Sequence, residues 1–462
     1  MRENIHMKLL RILRLAAGIV ALGGCSVADE ILEVTDPDVI HPGDINSASG
    51  AEGLRIGTLA RLNNATSGNE SFLLLGGLLG DEYRSGDTFI ERNQADRRSV
   101  LPNNGNVRNA FRFTYRVRTS AKQAIEALER WEAEPWKIAE MYVALAYAEN
   151  LLAENACNGI PLSEISGTEI VYGPPLMGSV VFDSALTAVN SALALITGNT
   201  ADDVRVRQAA SVLKGRILLN LERFGEAGTA VAGVPTAYEY TMEHSLTSNL
   251  NAIWTFNNSV GRWIVSNGEG GSTINYALAG DPRLPICRGS RSTTTGAGTL
   301  PVCPPGTATR AFDSQARTIP FFVQLRYPDV DAPVAIISGI EARLIEAEAA
   351  LKAPDPITFM RIHNELRATV TGLAQLADPG THVGRENLHF REKAFWLFGR
   401  GYRLGDMRRL IRQYNRDPET VFGTGNWFKG GPFGTDVNFP IPQAEENNPE
   451  FPANQACIDR DA

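Results

Sequence analysis

The sequence predicts a mostly α-helical chain, a scaffold of paired helices with a loop-rich half set into it. Three observations lead there. Apolar residues recur at helical spacing through 121–131, 136–153, 180–196, 203–222 and 338–371. Proline and glycine interrupt those stretches at short turns. Residues 235–335 instead are rich in Gly, Asn, Ser, Thr and Pro, and read as long loops with a few short strands. With 462 residues, 43% hydrophobic and 21% charged, the chain can bury a sizeable core without help from metals.

The chain starts with a polar, basic stretch carrying Arg2, Lys8, Arg11 and Arg14. An apolar run, LAAGIVAL at 15–22, follows and is far shorter than the ~20 residues a membrane-spanning helix needs. Leu22-Gly23-Gly24-Cys25 closes it. A basic start, a short apolar core and small residues at the cut are the layout of a secretory signal, here 1–24. Met7 serves equally well as the first residue. L-G-G-C resembles the bacterial lipobox, whose cysteine is acylated, by palmitate for example, and becomes the mature N-terminus. An ordinary signal with a chance cysteine is the alternative. Two or more acyl chains on Cys25 give a stable membrane anchor where one chain gives a marginal one. Residues 25–43 then form a tether, because their Asp-Pro and His-Pro steps disfavour helix. A single domain is expected over 44–462, with its first helix starting near Asp44 or Asn46, both good N-caps.

Ala121, Ala124, Ile125, Leu128 and Trp131 share one helix face. The Ala/Leu-rich stretch 136–153 ends at Asn158-Gly159-Ile160-Pro161. Residues 203–222 alternate small and large apolar side chains, with Phe224-Gly225-Glu226-Ala227 at a turn, a spacing that resembles a tetratricopeptide helix pair. A second pair spans 338–371, marked by Ile337, Ile340, Leu344, Ala347 and Leu351 and split at Pro354-Asp355-Pro356. Helices also fit 387–400 and 402–415, and the tail after Pro418 has little regular pattern.

Besides Cys25 there are four cysteines, an even number in an oxidising compartment. Cys287 and Cys303 flank a Gly/Ser/Thr loop, and a bridge there is worth ~3 kcal/mol in the chain-entropy model. By elimination Cys157 pairs with Cys457. Four free thiols are the alternative. The net charge of −8 argues against a nucleic-acid partner, since polyanions are bound through surplus Lys and Arg. No phosphate-binding loop, serine-hydrolase elbow or zinc-protease motif occurs. His382 and His389 lie seven apart without ligand-spaced acids or cysteines, so no metal or other cofactor is expected. Glu341, Glu346 and Glu348 are spaced on one helix among alanines and read as a solvated or ion-paired face, not as the facing acids of a glycoside hydrolase. Arg403 and Asp406, three apart, read as structural, holding the last helices on the scaffold.

Several stretches line up in order with one family. FTYRVRTSAKQAIEAL at 113–128, NACNGIPLSE at 155–164, ISGIEARLIEAEAAL at 337–351, HFREKAFWLFGRGYRLGDMRRL at 389–410 and NFPIPQAEENNP at 438–449 follow the lipobox. Together they resemble the SusD/RagB family. In the fourth stretch Arg391, Glu392, Gly401, Arg403, Asp406 and Arg409 match the family pattern, while its second Glu is Phe398 or Gly399 here; Leu344 replaces a usual aromatic. The resemblance implies a mostly α fold of four tetratricopeptide-like helix pairs with a variable loop-rich half that carries the ligand site. It also implies a lipid-anchored, outer-membrane, surface-exposed protein that is not an enzyme. Such a protein caps a SusC-like TonB-dependent transporter and delivers a glycan or a peptide to it.

Sugar rings stack on flat apolar rings, and their hydroxyls need polar groups at the rim. Trp254, Trp263 and Trp427 lie in loop-rich stretches with Asn257, Asn258, Arg262 and Asn267 near the first two. Each is a candidate ligand platform, with a place in the core as the leading alternative. The segment DEYRSGD supplies Asp81, Tyr83, Arg84 and Asp87 as further candidates, with a hydrated loop as the alternative. A helical-repeat lipoprotein that organises envelope proteins without uptake is the second functional reading. An α-helical glycoside hydrolase is the third.

Overall fold

A computed structural model describes residues 46–462 apart from 167–168, 272–273, 293–296 and 453–456. The signal, Cys25 and the tether lie outside the described residues. Residues 51–462 form one unit; of the other, 1–50, only 46–50 are described.

Helices α1 (Ala48–Ser67) and α2 (Phe72–Leu79) come first, and α2 is buried on every side. Strand β1 (Tyr83–Ser85) and helix α3 (Ile90–Asp96) lead to the long pair α4 (Gly105–Arg130) and α5 (Pro135–Asn155). Asn104 caps α4 by accepting from Val107 N at 3.0 Å, and Pro135 opens α5 where no amide donor is needed. Two small antiparallel ladders follow, β2 (Ile160–Pro161) with β5 (Pro175–Leu176) around β3 (Glu164–Ser166) with β4 (Glu169–Val171). Next come α6 (Gly178–Leu195), α7 (Ala201–Asn220) and α8 (Phe224–Val231), with α7 started by a reciprocal Thr200–Asp203 capping box.

The loop-rich region holds β6 (Glu239–Met242), α9 (Ala252–Trp254) running into a π-helical turn (Thr255–Ser259), β7 (Trp263–Val265), β8 (Ile286–Arg288), β9 (Phe322–Gln324) and β10 (Val334–Ser338). Its strands pair only two by two, β1 with β7, β6 with β10 and β8 with β9, all antiparallel. The scaffold resumes with α10 (Gly339–Lys352), α11 (Pro356–Ala368), α12 (His382–Trp396) and α13 (Arg403–Tyr414), and ends in the short α14 (Pro418–Val421).

The mostly α, helix-pair architecture is as the sequence predicts. Helices α4 to α8 pack each on the next, α8 packs on α10, and α10 packs on α11 and α12. Helix 387–400 is a correction: α12 begins at His382 and ends at Trp396. Gly399 and Gly401 take φ of +68° and +81°, a left-handed backbone that ends the helix. A side chain at Gly401 would meet Leu73 at 2.5 Å, so the turn also seats α2.

The glutamate stripe of α10 is corrected in part. Glu341 and Glu348 are buried, not solvated. Glu348 accepts from Arg409, from Tyr414 Oη at 2.7 Å and from His389 Nε2 at 3.2 Å, with Lys393 Nζ 3.6 Å away. Burial pushes its pKa up, yet Arg409 and then Lys393 hold it well below the usual carboxylate range. Asp406 joins the cluster through Lys393 at 2.6 Å and Arg409 at 3.4 Å. Nearby, Arg216 grips Glu154 with two nitrogens. These ion pairs tie α5, α7, α10, α12 and α13 together. Cys157 is bonded to Cys457, which fastens the tail to the end of α5, and Cys287 to Cys303.

Candidate functional site

The three segments singled out for ligand contact converge in space. Strand β1 pairs with β7 so that Arg84 lies opposite Ile264 and Ser85 opposite Trp263. The tail segment 427–429 closes over the same place. Trp427 donates its indole N–H to Asp96 Oδ2 at 2.8 Å, and Lys429 bonds Asp313 at 2.9 Å and Asn93 Oδ1 at 2.9 Å.

The expected presentation of these side chains to solvent is corrected. Asp81, Tyr83, Arg84, Asp87, Trp263 and Trp427 are all buried, Asp87 completely and Trp263 to 2% exposure. The reason is mutual satisfaction. Arg84 is paired with Glu269, and its guanidinium lies 5.5 Å from the Phe428 ring. Asp87 pairs with Arg92, whose guanidinium stacks on Phe89, Phe256 and Trp263 at 4.8, 4.7 and 5.1 Å. The Trp263 N–H reaches Leu74 O at 3.3 Å. Trp254 is half-buried, with its N–H on Pro328 O at 3.0 Å. Asn257 and Asn258 are buried as well, bonded to the backbone of Trp263, Phe322 and Gln324. The charged and aromatic residues that looked like a rim form a rigid floor.

On that floor stands an exposed ridge that the sequence reading missed. Phe89, Ile90, Leu101 and Phe312 are 46%, 69%, 51% and 45% exposed. Arg262 reaches over both phenyl rings, 5.2 Å from Phe89 and 4.6 Å from Phe312, and lies 3.6 Å from Asp87 Oδ2. One cleft of about 340 Å³ runs along Ile90, Asn93, Gln94, Arg97, Gln315, Trp427 and Lys429. A second, of about 440 Å³, shares Ile90, Gln94 and Leu101 and continues to Phe89, Glu91 and Asn103. The Arg97 guanidinium makes no hydrogen bond or ion pair among the described residues. Flat rings, amides and a spare guanidinium side by side suit an amphipathic polar ligand. The available signal was Thr88-Phe89-Ile90, an apolar step directly after Asp87 and before a helix.

Beneath the ridge lies a set of buried acids. Burial pushes Asp81 up to about 8, aided by Glu269 and Asp96, and Asp81 Oδ2 has no hydrogen-bond partner. Burial likewise pushes Glu82 to about 7 and Asp96 to about 7, although Gly399 N bonds Glu82 at 3.0 Å. Among the described residues no group of three His, Cys, Asp or Glu is arranged to hold a metal.

A larger cleft of about 560 Å³ lies beside α1 and β6, and both of its arginines are engaged with Glu140. Glu140 there takes Arg55, Arg205 at 2.7 Å and the Tyr240 hydroxyl at 3.1 Å.

No family model matches this chain, and no curated protein sequence does. Solved structures do. A SusD superfamily protein from Bacteroides fragilis is 15% identical, with a TM-score of 0.64 over 88% of this chain and 99% of that one. A SusD homolog from Bacteroides thetaiotaomicron is 14% identical, with a TM-score of 0.63 over 88% and 97%. A SusD-like carbohydrate binding protein from Bacteroides vulgatus is 14% identical, with a TM-score of 0.57 over 78% and 83%. The chain has the SusD-like fold.

Proposed function

We propose that this chain is a surface lipoprotein, not an enzyme, that captures a nutrient glycan or peptide and passes it to a SusC-like TonB-dependent outer-membrane transporter. The observation that carries the reading is the Phe89–Arg262–Phe312 ridge with its two clefts, held on a rigid floor of a SusD-like fold. One neighbour of that fold is described as carbohydrate binding, which supports a glycan first. Signal 1–24 and Cys25 supply the anchor. Residues Asp81, Arg84, Asp87 and Trp263 act through the ridge they support rather than by touching the ligand, while Trp427 lines one of its clefts.

A protein partner is supported by a second surface. On the β3–β4 hairpin and just after it, Ile165, Ile170, Val171, Tyr172, Met177 and Val180 are each more than 40% exposed. Exposed apolar patches of this kind mark interaction sites.

The test is calorimetry with a panel of oligosaccharides and peptides on wild type, Phe89→Ala and Phe312→Ala. Each ring is expected to contribute on the order of 1 kcal/mol, so each loss weakens binding by ~10-fold or less. Full affinity in both folded variants sinks the ridge as the ligand site. Co-purification in mild detergent is expected to bring down a transporter barrel, and Ile170→Glu to release it. Recovery of the lipidated protein alone favours the envelope-scaffold reading.

A further inference from the structure

A cleft of about 460 Å³ lies between α12, α13 and α14, with Ile274 of the loop region at its edge, and shares no lining residue with the ridge clefts. Its volume falls in the range of roughly 300–1,000 Å³ typical of small-molecule sites. Asn387, Phe390 and Arg391 line it from one face of α12, at helical spacing of three and four. Arg403 and Leu410 line it from α13, and Arg416, Thr420 and Val421 from the segment beyond. Three arginines therefore face one cavity and no Asp or Glu lines it, on a chain whose net charge is −8.

The arginines are unequally engaged. Arg416 is paired with Glu386, which also takes His382 at 3.3 Å. Exposed Arg391 lies 5.1 Å over the Phe395 ring and has no ion pair among the described residues. Arg403 is only 7% exposed, and it donates its Nε to Gly80 O at 3.3 Å. Its two terminal nitrogens have neither hydrogen bond nor ion pair among the described residues. Two buried acids feel its field, Asp81, pushed up to about 8 by burial, and Glu82, pushed up to about 7, so at pH 7 they give Arg403 only a partial counter-charge. Leaving a buried cation unpaired is costly, and an anion in the cleft relieves that cost. The planar guanidinium fork fits a carboxylate bidentately. Around it, Asn387 and Thr420 offer polar groups for hydroxyls, while Leu410 and Val421 give an apolar wall.

We infer that this cleft binds a sugar acid of hexuronate size, its carboxylate held by Arg403 and Arg391 and its ring lying against the apolar wall. The assignment stands apart from the ridge and does not depend on it.

The experiment is calorimetry of the full-length protein in mild detergent at low ionic strength, with glucuronate, glucose, inorganic sulfate and a short peptide ending in a free carboxylate. Glucuronate is expected to bind and glucose not to bind, sulfate is expected to compete, and added salt to weaken binding. Arg391→Gln is expected to cost about 10-fold or more, from the loss of a charged hydrogen bond. Because Arg391 is exposed, that variant keeps its fold, which an unchanged melting curve checks. Phe89→Ala is expected to leave glucuronate affinity unchanged, which separates this site from the ridge. Equal binding of glucose, full affinity in Arg391→Gln, or a peptide that binds more tightly than glucuronate would each overturn the inference. So would sulfate binding that glucuronate does not displace.

Discussion

The two halves of this molecule bury charge in opposite ways. In the scaffold, buried Glu348 has Arg409 and Lys393 against it and buried Glu154 has Arg216, while Glu341 is the exception, held by the Tyr402 hydroxyl and pushed up to about 7 by burial. Under the ridge, Asp81, Glu82 and Asp96 are buried without a salt-bridge partner among the described residues. The first arrangement fixes helix register, since the charges persist across ordinary pH. The second makes the floor of the candidate site sensitive to protonation.

The largest expected effect breaks the paired half. Glu348→Ala leaves Arg409 and Lys393 buried without their carboxylate and is expected to cost ~3–5 kcal/mol. Chemical denaturation checks it. A loss below ~1 kcal/mol would show that the cluster does not hold the helices. The sign with pH is also fixed. The Glu348 pKa is lowered on folding, so its contribution is present above the unfolded value near 4.5 and is lost as pH falls through the folded value.

The crosslinks come next. Cys157 and Cys457 are 300 residues apart, Cys287 and Cys303 only 16. In the chain-entropy model the longer closure stabilises more, both within a typical ~2–4 kcal/mol. Replacing Cys457 by Ser is expected to lower the melting temperature more than replacing Cys303 by Ser. The reverse order would mean that the tail is already held by its other contacts, such as Trp427 on Asp96.

How much of this was legible in the sequence follows the same division. Scaffold helices announce themselves through local rules. Asp355 caps α11 from inside Pro354-Asp355-Pro356, and the apolar positions of α10 are spaced by three and four. The Glu348–Arg409 pair spans 61 residues and the Lys429–Asn93 bond spans 336, so no local pattern contains them. For that reason Glu341 and Glu348 read only as a solvated or ion-paired face, and the partners that decide between the two are out of local range. The 81–87 segment misled for the same reason. Its charges look hydrated until Glu269, Arg92 and the 427–429 tail arrive from elsewhere to bury them. Convergence of the three candidate segments was legible only as chemistry, and the ridge above them only as an apolar step after Asp87.

Asp81 sharpens the comparison from the unpaired side. Its pKa is raised from 3.8 to about 8, so the folded state holds a proton that the unfolded chain has released. Stability from this group is therefore full below about pH 4 and declines as pH rises to about 8, opposite in slope to Glu348. Asp81→Asn keeps the shape and tolerates the left-handed backbone at φ +58°. It is expected to raise the melting temperature by roughly 2–4 °C at pH 8 and to change little at pH 4. Equal shifts at both pH values would mean that the acid is ionised throughout.

The smallest effect lies where the two kinds of interior meet the surface. Asp87 serves two arginines. Arg92 is buried and pairs with it directly, while Arg262 is a quarter exposed and 3.6 Å away. Removing Arg92 strips a buried acid of its close partner, whereas removing Arg262 strips a longer contact to an acid that keeps Arg92, together with stacking from two exposed rings. Exposed cation–π contacts are worth ~0.5–1 kcal/mol, so Arg262→Gln is expected to leave folding nearly intact. What it loosens is the ridge, because Phe89 and Phe312 come from segments more than 200 residues apart and Arg262 lies across both. Ligand affinity is then expected to fall several-fold through lost preorganisation. A double-mutant cycle with Phe312→Ala isolates this. If Arg262 acts by holding the ring, its effect on affinity disappears once Phe312 is gone. Strictly additive losses would instead make Arg262 an independent ligand contact, and the ridge would then bind through its charge rather than through its rings.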